Sequence, residues 1–334
     1  MTVVTPEEDA APLRALPGGR RSWRSPWSRR PSRPTGGGGG GGRAGLLPYA
    51  LLVPTLAALG AGLGYPLVRL VVLSTQEFGR RQQFGEAAPY VGTDNYAEIF
   101  GNPYFWDVLW RSLAFCAVNV ALTMVLGTLL ALLLERLGPV MRTGLSVALL
   151  LAWATPALTA TIVWQWIFDA RYGVVNWLLT RLGADYEGHS WLSRPLSFFF
   201  VGTLVVVWMG VPFVALTLYA GMTQISGEVV EAAAIDGAGP WQRFRDVTWP
   251  ALKPIFVVLV ALSTLWDLRV FTQVFVLQQA GGIVRDTNTL GVYAYRQGGS
   301  GNFGLGAAVA VVMVGITLLL TLVHLRQMFR QEEV

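Results

Sequence analysis

Six long apolar runs constrain this chain more than any other feature of its sequence. Each has about 20 residues or more, which is the length a helix needs to cross a hydrocarbon core about 30 Å thick. Because backbone amides in lipid must be paired within their own segment, we predict helices, and none of the runs alternates as a barrel strand does. The runs cover residues 46–68, 112–134, 143–168, 196–220, 255–276 and 303–323. The sequence therefore predicts an all-α integral membrane protein with six transmembrane helices.

Composition excludes the main alternatives to a membrane protein. Of the 334 residues, 53% are hydrophobic and 13% are charged, against about 25% charged in a soluble domain. A chain this apolar and aromatic is not disordered over most of its length. The single cysteine, Cys116, excludes an internal disulfide, and His189 and His324 are too far apart to suggest a pair of metal ligands. We therefore predict no metal site.

Positive residues are divided unequally between the two sides that six helices create. One side carries 15 of the 25 arginine and lysine residues, and the other carries seven. The richer side holds the N-terminal segment with its eight arginines, the turn at 135–142, the loop at 222–254 and the C-terminal end. Because positive residues are retained in the cytoplasm, both termini and the 222–254 loop are predicted to be cytoplasmic.

The first 45 residues differ in composition from the rest of the chain. Arginine, serine and proline dominate residues 20–34, and seven glycines follow at 36–42. Such a segment cannot bury a core, so a disordered, Arg/Pro/Gly-rich cytoplasmic tail is predicted over 1–45. A signal peptide is the alternative, but the apolar run that follows is too long for one. The arginines could contact anionic membrane lipid, although a solvated tail that aids orientation is the simpler interpretation. The membrane domain would cover 46–330, with a C-terminal tail at 331–334.

The loop at 222–254 is predicted to contain two short helices. Ser226 can cap the first helix, and Glu228 and Glu231 lie in its first turns, where the helix dipole favours carboxylates. The three alanines that follow at 232–234 favour a helix and give it a thin face that another backbone could approach closely.

A bend and a second helix are predicted to complete the loop. Gly237 fits the left-handed position after a helix, and Pro240 fits the first turn of the next one. Pro250 and Pro254 are predicted to end that helix and lead into the fifth membrane helix. Its apolar stripe consists of Trp241, Phe244 and Val247. An amphipathic helix lying on the membrane is the alternative, but the acidic stretch at 228–236 suits anionic lipid poorly.

The loop resembles the EAA loop of ABC importer permeases. Three intervening residues separate the Glu-Ala-Ala run from the glycine, and nine more separate the glycine from an aliphatic residue that precedes a proline. The matching residues are Glu231, Ala232, Ala233, Gly237, Val247 and Pro250. Trp249 departs from the pattern, since leucine is usual there. The Asp236-Gly237-Ala238 run fits the version of the motif found in sugar importers.

Flanking segments extend the resemblance to about residues 46–330. Residues 91–96 and 103–106 look like the first external loop of carbohydrate permeases. Residues 271–282, 288–290 and 293–296 look like the segment that follows the fifth helix in the same group.

The resemblance implies a division of labour in a multi-pass protein of the bacterial cytoplasmic membrane. This chain would pair with a second permease subunit as a probable heterodimer, and two cytoplasmic ATPase subunits would each hold one EAA helix. An external binding protein would deliver a carbohydrate substrate. Glu231 would face a basic residue of the ATPase, and Gly237 would allow the bend. The residues implied in ATPase coupling are Glu231, Ala232, Ala233, Asp236, Gly237, Ala238 and Pro250.

The same resemblance implies that the chain is a translocation subunit and not an enzyme. It has no GxxxxGK[ST] phosphate loop, which agrees with ATP and Mg²⁺ being bound by the partner ATPase. We accordingly expect no cofactor on this chain and no nucleic acid partner.

Polar side chains at membrane depth suggest a path for the substrate. They are costly in lipid and usually face the bundle interior or a water-filled cavity. Aromatic rings can stack on the apolar faces of a sugar, while amides and carboxylates bind its hydroxyls. The candidates are Trp266, Asp267, Arg269 and Gln273 in the fifth run, and Asn119, Gln165 and Trp208 in the others. Bonding across the bundle or to the second permease is the simpler explanation for any one of them.

Two other functions compete with the importer. An ion-coupled secondary transporter could use the polar cluster of the fifth run, but it would predict an inverted repeat, and no two halves of the sequence match. A membrane-embedded enzyme would need clustered catalytic side chains, and Asp267 with one arginine is too little.

Prolines and tryptophans add two local predictions. Pro156 and Pro212 fall inside the third and fourth runs, where proline is expected to kink a helix. Trp164, Trp166 and Trp177 fit an aromatic belt at the membrane interface.

Overall fold

The computed structural model describes residues 47–332, and these residues form helices and short connections. The tail predicted at 1–45 and the last two residues lie outside this range. Within the described range, the residues from Leu59 onward belong to one compact unit, and residues 47–58 belong to another. The helices are α1 (Leu47–Leu59), α2 (Tyr65–Ser74), α3 (Arg80–Gln83), α4 (Asp94–Gly101), α5 (Pro103–Arg136), α6 (Pro139–Trp153), α7 (Ala157–Ile167), α8 (Val174–Arg181), α9 (Pro195–Met222), α10 (Gly227–Ile235), α11 (Pro240–Arg243), α12 (Trp249–Leu268), α13 (Thr272–Gln279), α14 (Val284–Thr287), α15 (Leu290–Gly299) and α16 (Phe303–Glu332), with π-helical turns at Gly60–Gly64 and Phe244–Thr248.

The prediction of an all-helical membrane protein is confirmed, and the number of spans is refined. Within the described residues, five helical stretches are long and apolar enough to cross a membrane, and a bent pair of helices raises the number to six if it counts as one span. The five stretches are Leu51–Ser74, Pro103–Arg136, Pro195–Met222, Pro240–Gln279 and Phe303–Met328.

The third apolar run is not one straight helix, as the sequence had suggested. It is divided into α6 and α7, which meet at an angle of 100°. Pro156 lies at the break, where it lacks a backbone N–H and disfavours helical geometry in the preceding residue, Thr155. Pro212, by contrast, lies inside α9, which continues without interruption around it.

The fifth run also differs from its predicted bounds of 255–276. Helix α12 ends at Leu268, and the backbone leaves helical geometry before α13 begins at Thr272. At the other end, Pro250 and Pro254 do not terminate the second loop helix, because a π-helical turn joins α11 directly to α12. Pro250 stands at the start of α12, directly after the π-helical turn, and Pro254 lies inside α12 without interrupting it. A single helical rod therefore connects the loop to the membrane.

Helices α5 and α9 pack closely through small residues and run parallel. A Cβ atom placed on Gly202 would lie 3.4 Å from Phe115, and one on Gly210 would lie 3.0 Å from Thr123. One on Gly127 would lie 2.5 Å from Val214. From Phe115 to Gly127 along α5, the contacting residues of α9 run from Gly202 to Val214, so the two helices point in the same direction. This seam forms the centre of the bundle and places α9 beside α12.

A buried polar network holds α13, α14 and α15 against the first turns of α5. The side-chain amide nitrogen of Gln278 donates to Thr287 Oγ1 at 3.0 Å and to Asn288 Oδ1 at 3.2 Å, and the Gln278 Oε1 atom accepts from Arg296 at 2.8 Å. The Asn288 amide donates in turn to the hydroxyl of Tyr104 at 2.8 Å. Because α13 is separated from α12 by the break, this network sets its position.

Candidate functional site

Helix α10 of the loop projects away from the rest of the protein. None of its residues is buried, and Glu231 and Ala232 are exposed. Ile235 exposes 86% of its surface, although it is large and apolar. A nine-residue helix gains little stability from propensity alone, since most helical stability in proteins comes from packing. Its exposed apolar and small residues are therefore suited to contact with another protein.

The end of α10 has the conformation predicted from Gly237. The φ angle of Gly237 is +83°, which places it in the left-handed region where a side chain is unfavourable. Its N–H donates to the Ala234 carbonyl at 3.1 Å, and the Ala238 N–H donates to the Ala233 carbonyl at 3.0 Å. This pair of bonds is a Schellman motif. The chain therefore reverses sharply after Asp236, and the last carbonyls of the helix are satisfied.

The beginning of α10 differs in detail from the prediction. Ser226 occupies the capping position, with φ −60° and ψ 129°, but its side chain makes no capping hydrogen bond. Helix α11 starts at Pro240 as predicted, and the Gln242 Oε1 atom accepts a hydrogen bond from the Gly239 N–H at 2.8 Å.

A row of aromatic rings connects the bend to α12. Trp241 stacks on Phe244 with 5.7 Å between ring centroids, Phe244 lies 6.4 Å from Trp249, and Trp249 meets Phe256 edge to face at 5.0 Å. Trp241 is nevertheless 70% exposed, so the predicted stripe is only partly packed. Trp249, where the family motif usually has leucine, is a central member of this row. The sequence pattern alone did not identify its partner, Phe256.

The acidic residues of α10 have no salt bridge in the described part of the chain. The one ion pair among residues 47–332 joins Arg245 and Asp246 at 2.7 Å, and both side chains are largely exposed. Glu231 and Asp236 are exposed and take no part in that ion pair. Pro250 is also exposed, on the rod that leads to the membrane.

Three of the residues predicted to line a path lie in α9 or in contact with it. Trp266 of α12 lies 5.1 Å from Phe213 of α9, edge to face. Gln273 Nε2 lies 3.8 Å from the sulfur atom of Met209. Trp208 meets Trp164 of α7 at 6.3 Å.

Phe213 was not predicted as part of this group. It also stacks on Trp153 of α6, at 6.1 Å. Phenylalanine in an apolar run carries no signal that separates such a position from its neighbours.

Two predicted polar residues have buried polar atoms without hydrogen-bond partners in the described structure. Asn119 has no exposed surface, and neither polar atom of its amide has a hydrogen-bond partner in the described structure. The Oδ2 atom of Asp267 is likewise buried and unpaired. Arg269 is exposed at the end of α12 and forms no ion pair with Asp267. Gln165 is half-buried on α7, next to Trp164.

The described residues contain no group of three His, Cys, Asp or Glu side chains that could hold a metal ion. The bundle, its helical rod and its exposed loop define a polytopic membrane protein. Residues 124–330 match the family of the binding-protein-dependent transport system inner membrane component. The chain belongs to this family of transport permeases and is a multi-pass inner-membrane protein.

Curated relatives match nearly the full length of the chain. It is 48% identical to the diacetylchitobiose uptake system permease protein DasB of Streptomyces coelicolor over 87% of this chain and 89% of that protein. It is 32% identical to the trehalose/maltose transport system permease protein MalF of Thermococcus litoralis over 85% of this chain and 94% of that protein.

A solved structure shares the fold. A chain from a bacterial ABC transporter involved in the import of the acidic polysaccharide alginate aligns with a TM-score of 0.73 at 21% identity. The alignment covers 86% of this chain and 96% of that one.

Proposed function

We propose that this chain is a transmembrane permease subunit of an ATP-driven carbohydrate importer and forms half of its translocation pore. The family assignment supports a transport permease, and the names of the relatives concern uptake of sugars. The observation that carries the coupling role is the exposed α10 helix, whose Schellman bend leads into a continuous rod that enters the membrane.

The α10 helix would be the contact for a cytoplasmic ATPase. The exposed Glu231 carboxylate would pair with a basic residue of the ATPase, and Ala232 and Ala233 would let the two backbones approach. Because α11, the π-helical turn and α12 are continuous, a displacement of α10 would be carried to Trp266 and Asp267 in the membrane. ATP and Mg²⁺ would be bound by the ATPase, and this chain would hold neither.

The remaining partners follow from the same assembly. A second permease would complete the pore, two ATPase subunits would drive it, and an external binding protein would deliver the sugar. Both termini would lie in the cytoplasm, on the side of the α10 helix.

The substrate path would run beside α9. Trp208, Trp266 and Gln273 are gathered there, and rings beside an amide suit the alternating apolar and hydroxylated faces of a sugar. The amide of Asn119 and the Oδ2 atom of Asp267 are buried and unpaired in this state, and they could bind hydroxyl groups if the bundle opens. Gln165 and Arg269 lie at the edges of this group.

Charge reversal at Glu231 tests the coupling role. The full transporter, with its ATPase and binding protein, is reconstituted in vesicles with Glu231→Lys or with Glu228→Lys, a matched reversal one turn earlier on the same exposed helix. We expect Glu231→Lys to abolish sugar uptake and to release the ATPase during purification, because it places like charges together. Glu228→Lys should retain both properties. Equal uptake by the two variants would contradict the assignment.

A further inference from the structure

Helix α8 exposes an apolar stripe on the side opposite its contacts with the protein. Val174, Trp177, Leu178 and Leu182 are all exposed. The last three lie three, four and eight residues after Val174, which places all four on one face of the helix. In a helix surrounded by water this outward face would be polar. The stripe therefore requires an apolar or interfacial environment.

The opposite face of α8 is fixed to the protein by a buried asparagine. Asn176 donates from its amide nitrogen to the His189 carbonyl at 2.8 Å. Its Oδ1 atom accepts a hydrogen bond from the Trp191 ring nitrogen at 2.7 Å. The orientation of α8 is therefore determined, and the stripe cannot turn inward without breaking these bonds.

The anchor also determines the level of α8 relative to the membrane. The Trp191 ring lies 6.2 Å from Phe200, which is five residues into α9 and so about 7.5 Å along it at 1.5 Å per residue. At this level α9 itself exposes Leu196 and Phe200. The exposed apolar surface of α9 therefore extends to the level of α8. This indicates that the leaflet of the bilayer around the start of α9 also surrounds the protein at the level of α8.

We infer that α8 is an interfacial helix, lying in the headgroup region of the leaflet opposite the α10 loop with its stripe in contact with lipid. Tryptophan and arginine are the residues that suit this layer, because each has an apolar body and a polar or charged end. Arg181 stacks over the Trp177 ring, with 5.6 Å from its Cζ atom to the centroid, and its guanidinium can reach the lipid phosphates. The inference needs only that the chain lies in a membrane and is independent of what it transports.

Spin labels on single cysteines test this inference. Cys116 is first replaced by alanine, and the full chain is then reconstituted in nanodiscs of zwitterionic and anionic lipid. Leu178→Cys places a label on the stripe, and Thr180→Cys places one on the same helix at an exposed position outside the stripe. Collision rates are measured with oxygen, which concentrates in lipid, and with a nickel chelate, which stays in water.

We expect the label at 178 to collide more often with oxygen and the label at 180 more often with the chelate. Val174→Cys provides a second stripe position should Leu178→Cys fail to fold. Equal chelate access at all three positions would overturn the inference. Chelate access that is lost only when a solute-binding protein is added would also overturn it, in favour of a protein contact.

Discussion

The bend after α10 permits a test in which backbone conformation is the one property changed. Gly237 has a φ angle of +83°, and a Cβ atom added to it would meet nothing within 4 Å. Gly237→Ala therefore introduces no clash, and its cost is that of holding an L-residue in the left-handed region, about 1–2 kcal/mol. That cost corresponds to a roughly 5–30-fold lower ratio of the native bend to its alternatives.

The affinity of the reconstituted permease for its ATPase measures this population. If the ATPase binds α10 only with the native bend, its apparent affinity should fall by up to the same factor, since affinity scales with the fraction of molecules in the competent conformation. Gly237→Asn should lose less than Gly237→Ala, because asparagine tolerates the left-handed region.

Gly227→Ala is the matched control for this series. Gly227 lies in the first turn of α10, also has open space around it, and has an ordinary helical conformation. Alanine there should leave affinity unchanged or slightly higher, because it favours the helix. If Gly237→Ala and Gly227→Ala bind the ATPase equally well, the bend is not required for docking, and the reasoning is refuted.

Further predictions concern the seam, the polar network and the loop after α7. Gly127→Ala should lower thermal stability in detergent by about 1–3 kcal/mol through overpacking against Val214, whereas Gly144→Ala, which meets nothing within 4 Å, should not. Gln278→Leu should remove the hydrogen bonds to Thr287, Asn288 and Arg296 and cost at least about 1–3 kcal/mol; an unchanged melting temperature would argue against the network. The backbone N–H groups of residues 172 and 171 hold the pKa of Asp169 below its ordinary value. The resulting contribution of Asp169 to folding stability is fully present above the pKa of this group in the unfolded chain, about 3.9. It is lost as pH falls through the lower pKa of the folded state. The protection of the residue 172 amide, which is its exchange rate compared with the intrinsic rate at the same pH, should therefore fall on acidification in the native loop and show no such transition in Asp169→Asn.

The loop illustrates how far local sequence reasoning can reach. The bend at Gly237 and the start of α11 at Pro240 follow from the conformational limits of glycine and proline, which act within a few residues. The position of Pro250 within a helix could not be predicted in the same way. Whether a proline ends a helix or sits in its first turn depends on the preceding residues, and the π-helical turn at Phe244–Thr248 supplies the extra residue that keeps the rod continuous.

The candidate path shows the opposite case. Its polar members were recognisable because charge and amide groups at membrane depth are costly. Their arrangement was not, because Trp266 of α12 and Gln273 of α13 contact residues of α9, the helix that carries Trp208. Phe213, the α9 residue that contacts Trp266, is indistinguishable by residue type from the other apolar residues of its helix.

The sequence by itself determined that this protein is a bundle of membrane helices with a loop built as helix, bend and helix, because hydropathy and backbone preferences accumulate along the chain. Tertiary structure alone decided where those helices break, which side chains are buried without partners, and which face of α8 is turned outward. These properties depend on contacts between residues distant in sequence, such as Asn176 with Trp191 and Trp266 with Phe213. Composition and spacing within one segment do not predict contacts with residues in another segment, so these contacts are seen only in the packed bundle.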